Sequence, residues 1–322
     1  MCVSYPHGEK QSHQERGNQF LSLNEHPSDE RQTPLLAFPL LRSENAIQRE
    51  ELIPSLRSEA VSLTKGTISM TLDQILAVLR HLAPEDTALP DDPVGLLLPG
   101  DGRDVSKIGI CLDATPETAA RAVLAGVQLV IAHHPLIYQP LKRLGTDPVS
   151  RAVTTFVQSN ISLYAMHTNW DRAVGGINDT LAECLELTGT RPLGTEGIAA
   201  LPRIGDLTNP RPLADFARFV ETALGCGGTS MLRVGGADMT RMITRVAVCG
   251  GAGAEMAEAA LAAGANAYVT SDVRHHEFCD AQSRGLALLD AGHGATETPG
   301  MRSLVRTLPT LLMGVEVVWV GE

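Results

Sequence analysis
From Met70 onward, short apolar runs alternate with stretches whose apolar residues recur every three or four positions. Thr71 precedes Leu72, Ile75, Leu76, Leu79 and Leu82, which follow the 3.6-residue period of a helix with a hydroxyl cap, and Pro84 stops it. Strands are expected over 108–112, 127–132 and 161–166, separated by helices over 116–125 and 149–158. Gly189, Pro192, Gly194, Gly197 and Pro202 crowd the next stretch, which reads as a lobe boundary. Beyond it the pattern predicts helices over 214–224, 254–263, 276–284 and 299–307. Strands are expected over 231–234, 243–249, 267–270, 286–289 and 315–320. This is an α/β protein of two lobes, each with a largely parallel or mixed sheet. Residues 70–190 together with 286–322 are assigned to the first lobe and 191–285 to the second.

Residues 1–69 differ in kind. They are rich in Ser, Glu, Gln, Arg and Pro, and their one short apolar run is broken by Pro39. They read as a disordered tail, with Met70 as an alternative natural start. The whole chain of 322 residues carries a net charge of −11, which argues against non-specific nucleic-acid binding and against an anionic membrane surface. Aromatic residues make up 4%, too few for base-stacking platforms. No apolar run approaches the ~18 residues of a membrane span, and the N-terminus lacks the apolar stretch of a signal peptide. The six Cys form no CxxC pair and read as reduced core residues of a cytoplasmic protein.

The histidines change the picture. Of ten, three lie in the tail and one at His81; the other six fall in four clusters that follow strands. These are His133-His134-Pro135, His167-Thr168-Asn169-Trp170-Asp171, Asp272 to Glu277 with His275 and His276, and His293-Gly294-Ala295-Thr296-Glu297. Ligands of open α/β sheets collect beyond the carboxyl ends of strands. Imidazoles and carboxylates without a thiolate suit Zn, Fe, Mn, Co or Ni rather than a Cys-rich structural zinc. Five or six such ligands exceed what one catalytic ion takes from protein, so the economical reading is two divalent ions bridged by a carboxylate and a water. Each cluster also has a bland reading. HHP can be a turn with one satisfied His, Asp171 a helix cap, and Glu297 a first-turn acid at a helix N-terminus. Their coincidence at three strand ends favours the metal. His275 and His276 are read as outer-sphere or substrate-facing groups, or as the mere start of a helix. Asp113 reads as a cap or turn residue, with support of the site as the alternative. The turn Gly250-Gly251-Ala252-Gly253 lacks the third glycine of a dinucleotide fingerprint, Met256 standing there, and reads as tight strand–helix packing.

At these residues the chain resembles the GTP cyclohydrolase 1 type 2 homologues, also called Nif-three-like dinuclear metal proteins. The anchors are Ala132 to Tyr138, His167 to Asp171 and Gly292 to Glu297, and the likeness runs from about Met70 to Glu322. The resemblance implies that His133, His134, Asp171, His293 and Glu297 hold two metal ions in a cleft between the two lobes, and that the protein forms a ring-shaped homohexamer. One departure is Leu89-Pro90-Asp91-Asp92-Pro93, where many members carry Trp-Asp-Asn. The function expected is a metal-dependent hydrolase of a small, nucleotide-like substrate, with His167 or His276 as proton shuttle. The alternative is a non-catalytic metal carrier or regulatory scaffold.

Overall fold
In the computed structural model, which describes residues 69–226, 232–235 and 238–322, the helix expected after Thr71 is α1, Leu72–Leu82. Thr71 Oγ1 accepts from the Gln74 amide at 3.3 Å, and Gln74 Oε1 accepts from the Thr71 amide at 3.0 Å. This reciprocal cap satisfies two N–H groups that a helix start otherwise leaves open. The expected tail over 1–69 lies, but for Ser69, outside the described residues.

Five strands form the first sheet: β1 (Gly95–Leu98), β2 (Lys107–Cys111), β3 (Leu129–Ala132), β4 (Ser162–Ala165) and β11 (Glu316–Trp319), in the order β1-β4-β3-β2-β11. The last four neighbours run parallel, and β1 is antiparallel to β4. Ile108, Ile110, Leu129 and Ile131 bury one face against α1 and against Met301, Leu304 and Leu308 of α9 (His293–Leu311). Cys111, Val130, Ala132 and Leu163 bury the other against α2 (Pro116–Ala125) and α3 (Pro148–Gln158). Both faces covered is the reason these strands read as continuous apolar runs.

The second sheet holds β5 (Leu187–Pro192), β6 (Arg203–Pro212), β7 (Arg233–Gly235), β8 (Met242–Ala252), β9 (Ala267–Ser271) and β10 (Ala287–Asp290), ordered β5-β6-β8-β9-β10-β7. β8, β9 and β10 are parallel; the flanking pairings are antiparallel. One face is covered by α5 (Ile177–Cys184) and α6 (Leu213–Leu224). The other is covered by α7 (Ala257–Ala262) and α8 (His275–Ser283). The short α4 (Thr168–Arg172) links β4 to α5. α9 packs on β2 and β11 of the first sheet and on β8 of the second. It also crosses α5 so closely that a Cβ at Gly300 would lie 2.6 Å from Ile177 Cα.

Three features depart from the sequence reading. The Gly- and Pro-rich stretch at 188–212, expected as a loop-like boundary, is the antiparallel pair β5–β6 that opens the second sheet; Pro192 ends a strand at the sheet edge, where its missing N–H costs nothing, and Pro210 lies within the register shift between Asp206 and Arg211. The strand β10, grouped with the first lobe by sequence, pairs in the second sheet. The last helix starts at His293, six residues before the expected Pro299, and runs through both Pro299 and Pro309.

Candidate metal centre
Parallel strands deliver their carboxyl ends to one rim, and here the rims of both sheets meet. β3 ends at Ala132, and the His133 and His134 amides keep pairing with the Leu112 carbonyl at 3.1 and 3.0 Å, which holds both residues at the rim. β4 ends one residue earlier than expected, and His167 heads α4, so Asp171 stands one turn on, its amide 3.0 Å from the His167 carbonyl. From the second sheet, β10 leads through Gly292, at φ +87, into α9, which opens with His293 and carries Glu297 one turn later on the same face.

Each of four imidazoles is gripped at Nδ1 from outside. His133 Nδ1 lies 2.8 Å from the Met166 carbonyl, His134 Nδ1 2.8 Å from Asp113 Oδ1, His167 Nδ1 2.8 Å from Asp92 Oδ1 and His293 Nδ1 2.5 Å from Asp272 Oδ2. A carbonyl or carboxylate only accepts, so Nδ1 carries the proton in each ring and Nε2 is left for the interior. There the donors converge. His133 Nε2 lies 3.6 Å from both Asp171 Oδ1 and Glu297 Oε1, His134 Nε2 3.2 Å from Glu297 Oε2, and His293 Nε2 3.2 Å from Glu297 Oε1. His134 Nε2 and His293 Nε2 face each other at 3.3 Å. Two nitrogens that close need a proton or a cation on at least one of them.

A metal fits this donor set. His133 Nε2, Asp171 Oδ1 and Glu297 Oε2 are fully buried side-chain atoms left without a hydrogen-bond partner. Polar atoms are not left in that state without cost, and three of them aimed into one space call for a shared cation. Two overlapping donor groups can be drawn: His133, His134 and His167, and His134, His293 and Glu297. The rings compensate with protons. Burial disfavours the imidazolium of His134, but Asp113 and Glu297 outweigh it and hold the ring up at about 10. The bond to Glu297, against burial, holds His293 up at about 9. Burial pushes Asp171 up to about 6, with His133 pulling the other way. Glu297 is buried too, yet His133 and the neighbouring rings hold it well below the usual carboxylate range. Metal uptake must therefore expel protons from His134 and His293, and apparent affinity is expected to rise with pH until it levels off at about pH 9 to 10, where the two rings lose those protons without the metal. Calorimetry in buffers of different ionisation enthalpy reads this directly; uptake without proton release would contradict it.

The backbone of the second sheet closes the floor. Gly251, at φ +64, sits so close that a Cβ there would overlap Glu297 Oε1 and approach His293 Nε2 to 3.3 Å. The Gly250 and Gly251 amides are taken by Asn178 Oδ1 at 2.7 Å and Thr296 Oγ1 at 3.0 Å. Neither is free to cradle a phosphate, which agrees with the packing reading of this turn. Gly251→Ala is expected to lower metal affinity about tenfold or more. Gly126→Ala is the control. Gly126 has φ +67 with nothing within 4 Å, so it shares the backbone strain and should keep the metal.

All five residues expected as ligands are in this group, and His167 stands beside it, its ring centroid 5.1 Å from that of His133. His275 and His276 are not; both are exposed on the first turn of α8. The reason is local: Asp272 adopts φ +55, so its own carboxylate turns to His293 while the chain carries the two histidines onto the surface. Asp113 supports His134 rather than capping α2, whose cap is Thr115. The sequence reading gave no role to Asp92 and did not single out Asp272. Asp272 directly follows β9 and Asp113 stands two residues beyond β2, both at the ligand-bearing rim, a signal that pattern alone offers. Asp92 comes from the segment that departs from the resemblance, and it also accepts from the Thr168 amide at 3.1 Å.

A family model described as DUF34/NIF3, NGG1p interacting factor 3, matches residues 70–321. A GTP cyclohydrolase 1 type 2 homolog of a Nostoc species is 36% identical over 66% of this chain and 81% of its own length. Another, of Streptomyces coelicolor, is 35% identical over 71% of this chain and 82% of its own length. Among solved structures, a Bacillus cereus protein related to NIF3 superposes with a TM-score of 0.71 at 23% identity, covering 77% of this chain and 96% of that one; at that identity the likeness concerns the fold. With the family model spanning nearly all of the described residues, this chain belongs to the DUF34/NIF3 family.

Proposed function
We propose that the protein is a dinuclear metal-dependent hydrolase acting on a nucleotide-like small molecule. The observation that carries the metal is the set of three orphaned buried atoms, His133 Nε2, Asp171 Oδ1 and Glu297 Oε2. His133 and Asp171 would hold one ion, His134 and His293 the other, with Glu297 shared, since it alone reaches all three rings. When bound, such ions supply Lewis acidity and an acidified water. The chain's own residues do the rest. Asp113, Asp92, Asp272 and the Met166 carbonyl orient the rings, which fixes the site before substrate arrives. His167, tethered by Asp92 and 22% exposed, would pass a proton between substrate and solvent.

What favours turnover over storage is asymmetry of burial. The His133 and Glu297 side chains are 0% and 4% exposed, whereas His293 is 40% exposed, so the centre is walled on one side and open on the other. The nucleotide class follows the relatives' printed name, GTP cyclohydrolase 1 type 2 homolog. A homohexamer is part of the same reading. The test is elemental analysis of the full chain purified without chelator, followed by turnover assays with GTP and other nucleotides. About two first-row ions per chain and hydrolysis that Glu297→Gln abolishes are expected. Ions held with no turnover across the nucleotides would leave the carrier reading, and no ions after reconstitution would remove both. Among the described residues no helix is long and apolar enough to cross a membrane.

A further inference from the structure
His167 carries the same signature as the rings of His133, His134 and His293. Among the described histidines, only these four are held at Nδ1 by an oxygen. The grip on His167 is firm. Asp92, its side chain 5% exposed, also accepts from the Thr168 amide and hydroxyl, and the Leu89 amide donates to Thr168 Oγ1 at 2.9 Å. A buried carboxylate that serves three donors fixes the ring with its proton on Nδ1 and its lone pair on Nε2. Among the described residues that Nε2 has no hydrogen-bond partner. A ring nitrogen of His167 lies within 4.8 Å of one on His133 and one on His134. Two imidazoles bound to one ion at about 2.0–2.1 Å, at a tetrahedral angle, hold their centroids roughly 5 Å apart. The centroids of His167 and His133 are 5.1 Å apart, as close to that figure as the 5.2 Å between His134 and His293. His134 stands farther from His167, at 5.7 Å. Two of the orphaned buried atoms, His133 Nε2 and Asp171 Oδ1, belong to the same side. An ion on these two and on the shared Glu297 keeps at least one position of its shell open.

We propose that His167 Nε2 is a displaceable ligand of the ion held by His133 and Asp171. Without substrate it fills the open position. The side chain of His133 is 0% exposed and that of His167 is 22% exposed, so His167 is the imidazole of this pair that an entering oxygen donor can replace. The exchange swaps one neutral lone-pair donor for another, so it needs neither a proton nor an electron. Ligation by His167 rests on the metal centre alone. The use of the released ring rests further on the hydrolase reading, under which the freed Nε2 becomes the proton carrier.

The experiment is anaerobic titration of the full-length protein with Co(II), following the visible ligand-field absorption together with bound cobalt per chain. His167→Gly should weaken one ion by about tenfold or more, leave the other in place and change the absorption of the weakened ion. Added imidazole should restore both affinity and absorption. In the wild-type protein, inorganic phosphate, an oxygen donor, should move the absorption toward that of His167→Gly. Circular dichroism verifies folding; if the glycine variant does not fold, His167→Gln is read in its place, with the same weakening and changed absorption expected. Affinity and absorption unchanged in the variant overturn the ligand and leave the dinuclear centre standing. A weakening of His167→Gly that imidazole does not reverse makes the residue structural and also overturns it. A wild-type absorption that saturating phosphate leaves unchanged overturns the displacement. Wild-type protein that takes up no cobalt overturns the centre and this ligand together.

Discussion

Glu297→Ala is expected to strip the rim centre of metal while the fold survives. The carboxylate is 3.2 Å from His134 and His293 and 3.6 Å from His133, and its side chain is 4% exposed. Two cations placed side by side among imidazoles need an anion between them, and Asp171 reaches only His133 among the rings. The loss should therefore exceed the ~10–100-fold typical of removing an outer-sphere partner. Elemental analysis after gel filtration would read it as near-empty protein, with circular dichroism as the folding control. Full occupancy in this variant would show that the converging donors are not the metal site. Glu297→Gln keeps the shape but removes the charge, so it separates lost anion from lost packing; a nearly empty Gln variant is the expected result.

The second large effect concerns stability. Asp179 on α5 and Arg203 at the start of β6 form an ion pair, 2.5 Å from Nε to Oδ1, with side chains 8% and 4% exposed. Arg203 also donates to the carbonyls of Ala200, Leu201 and Arg172, and Asp179 accepts from the Gly175 amide at 2.7 Å. Asp179→Ala leaves a guanidinium buried without its counter-charge, a change that costs about 3–5 kcal/mol. For a protein of this size that is a fall of roughly 10 °C in Tm. Because Arg203 holds the carbonyl of Arg172, next to the ligand Asp171, weaker metal retention should accompany the lower Tm. A melting temperature unchanged in Asp179→Ala would mean the pair is not buried as described.

The centre was legible in sequence to an unusual degree, for a reason that lies in strand geometry. Residues directly after a parallel strand emerge at the carboxyl rim whatever the rest of the fold does, so His133, His134 and His167 announce their own location. The supports were less legible. Asp113 looks like a turn residue because Asp favours turns, and only the approach of β2 to β3 brings it to His134. Asp272 resembles another loop acid, and its left-handed backbone is what aims it at His293. The clustering of His275 and His276 with the other histidines suggested a shared role. Yet one local turn sends them to the surface, beside a Cys that the sequence placed in the core.

The amino-acid order by itself determined the α/β alternation, the helix caps and the ligand-bearing strand ends, because these depend on local period and on neighbours in the chain. Only the tertiary structure decided that β10 joins the second sheet, that the Gly- and Pro-rich stretch is an edge pair, and that His293 opens a helix passing two prolines. It also decided the convergence itself. His133 and Glu297 are far apart in the chain, and the contact between them exists because α9 packs on both sheets and Gly251 leaves room for the carboxylate. Such contacts depend on shape and burial over long separations, which no local pattern records.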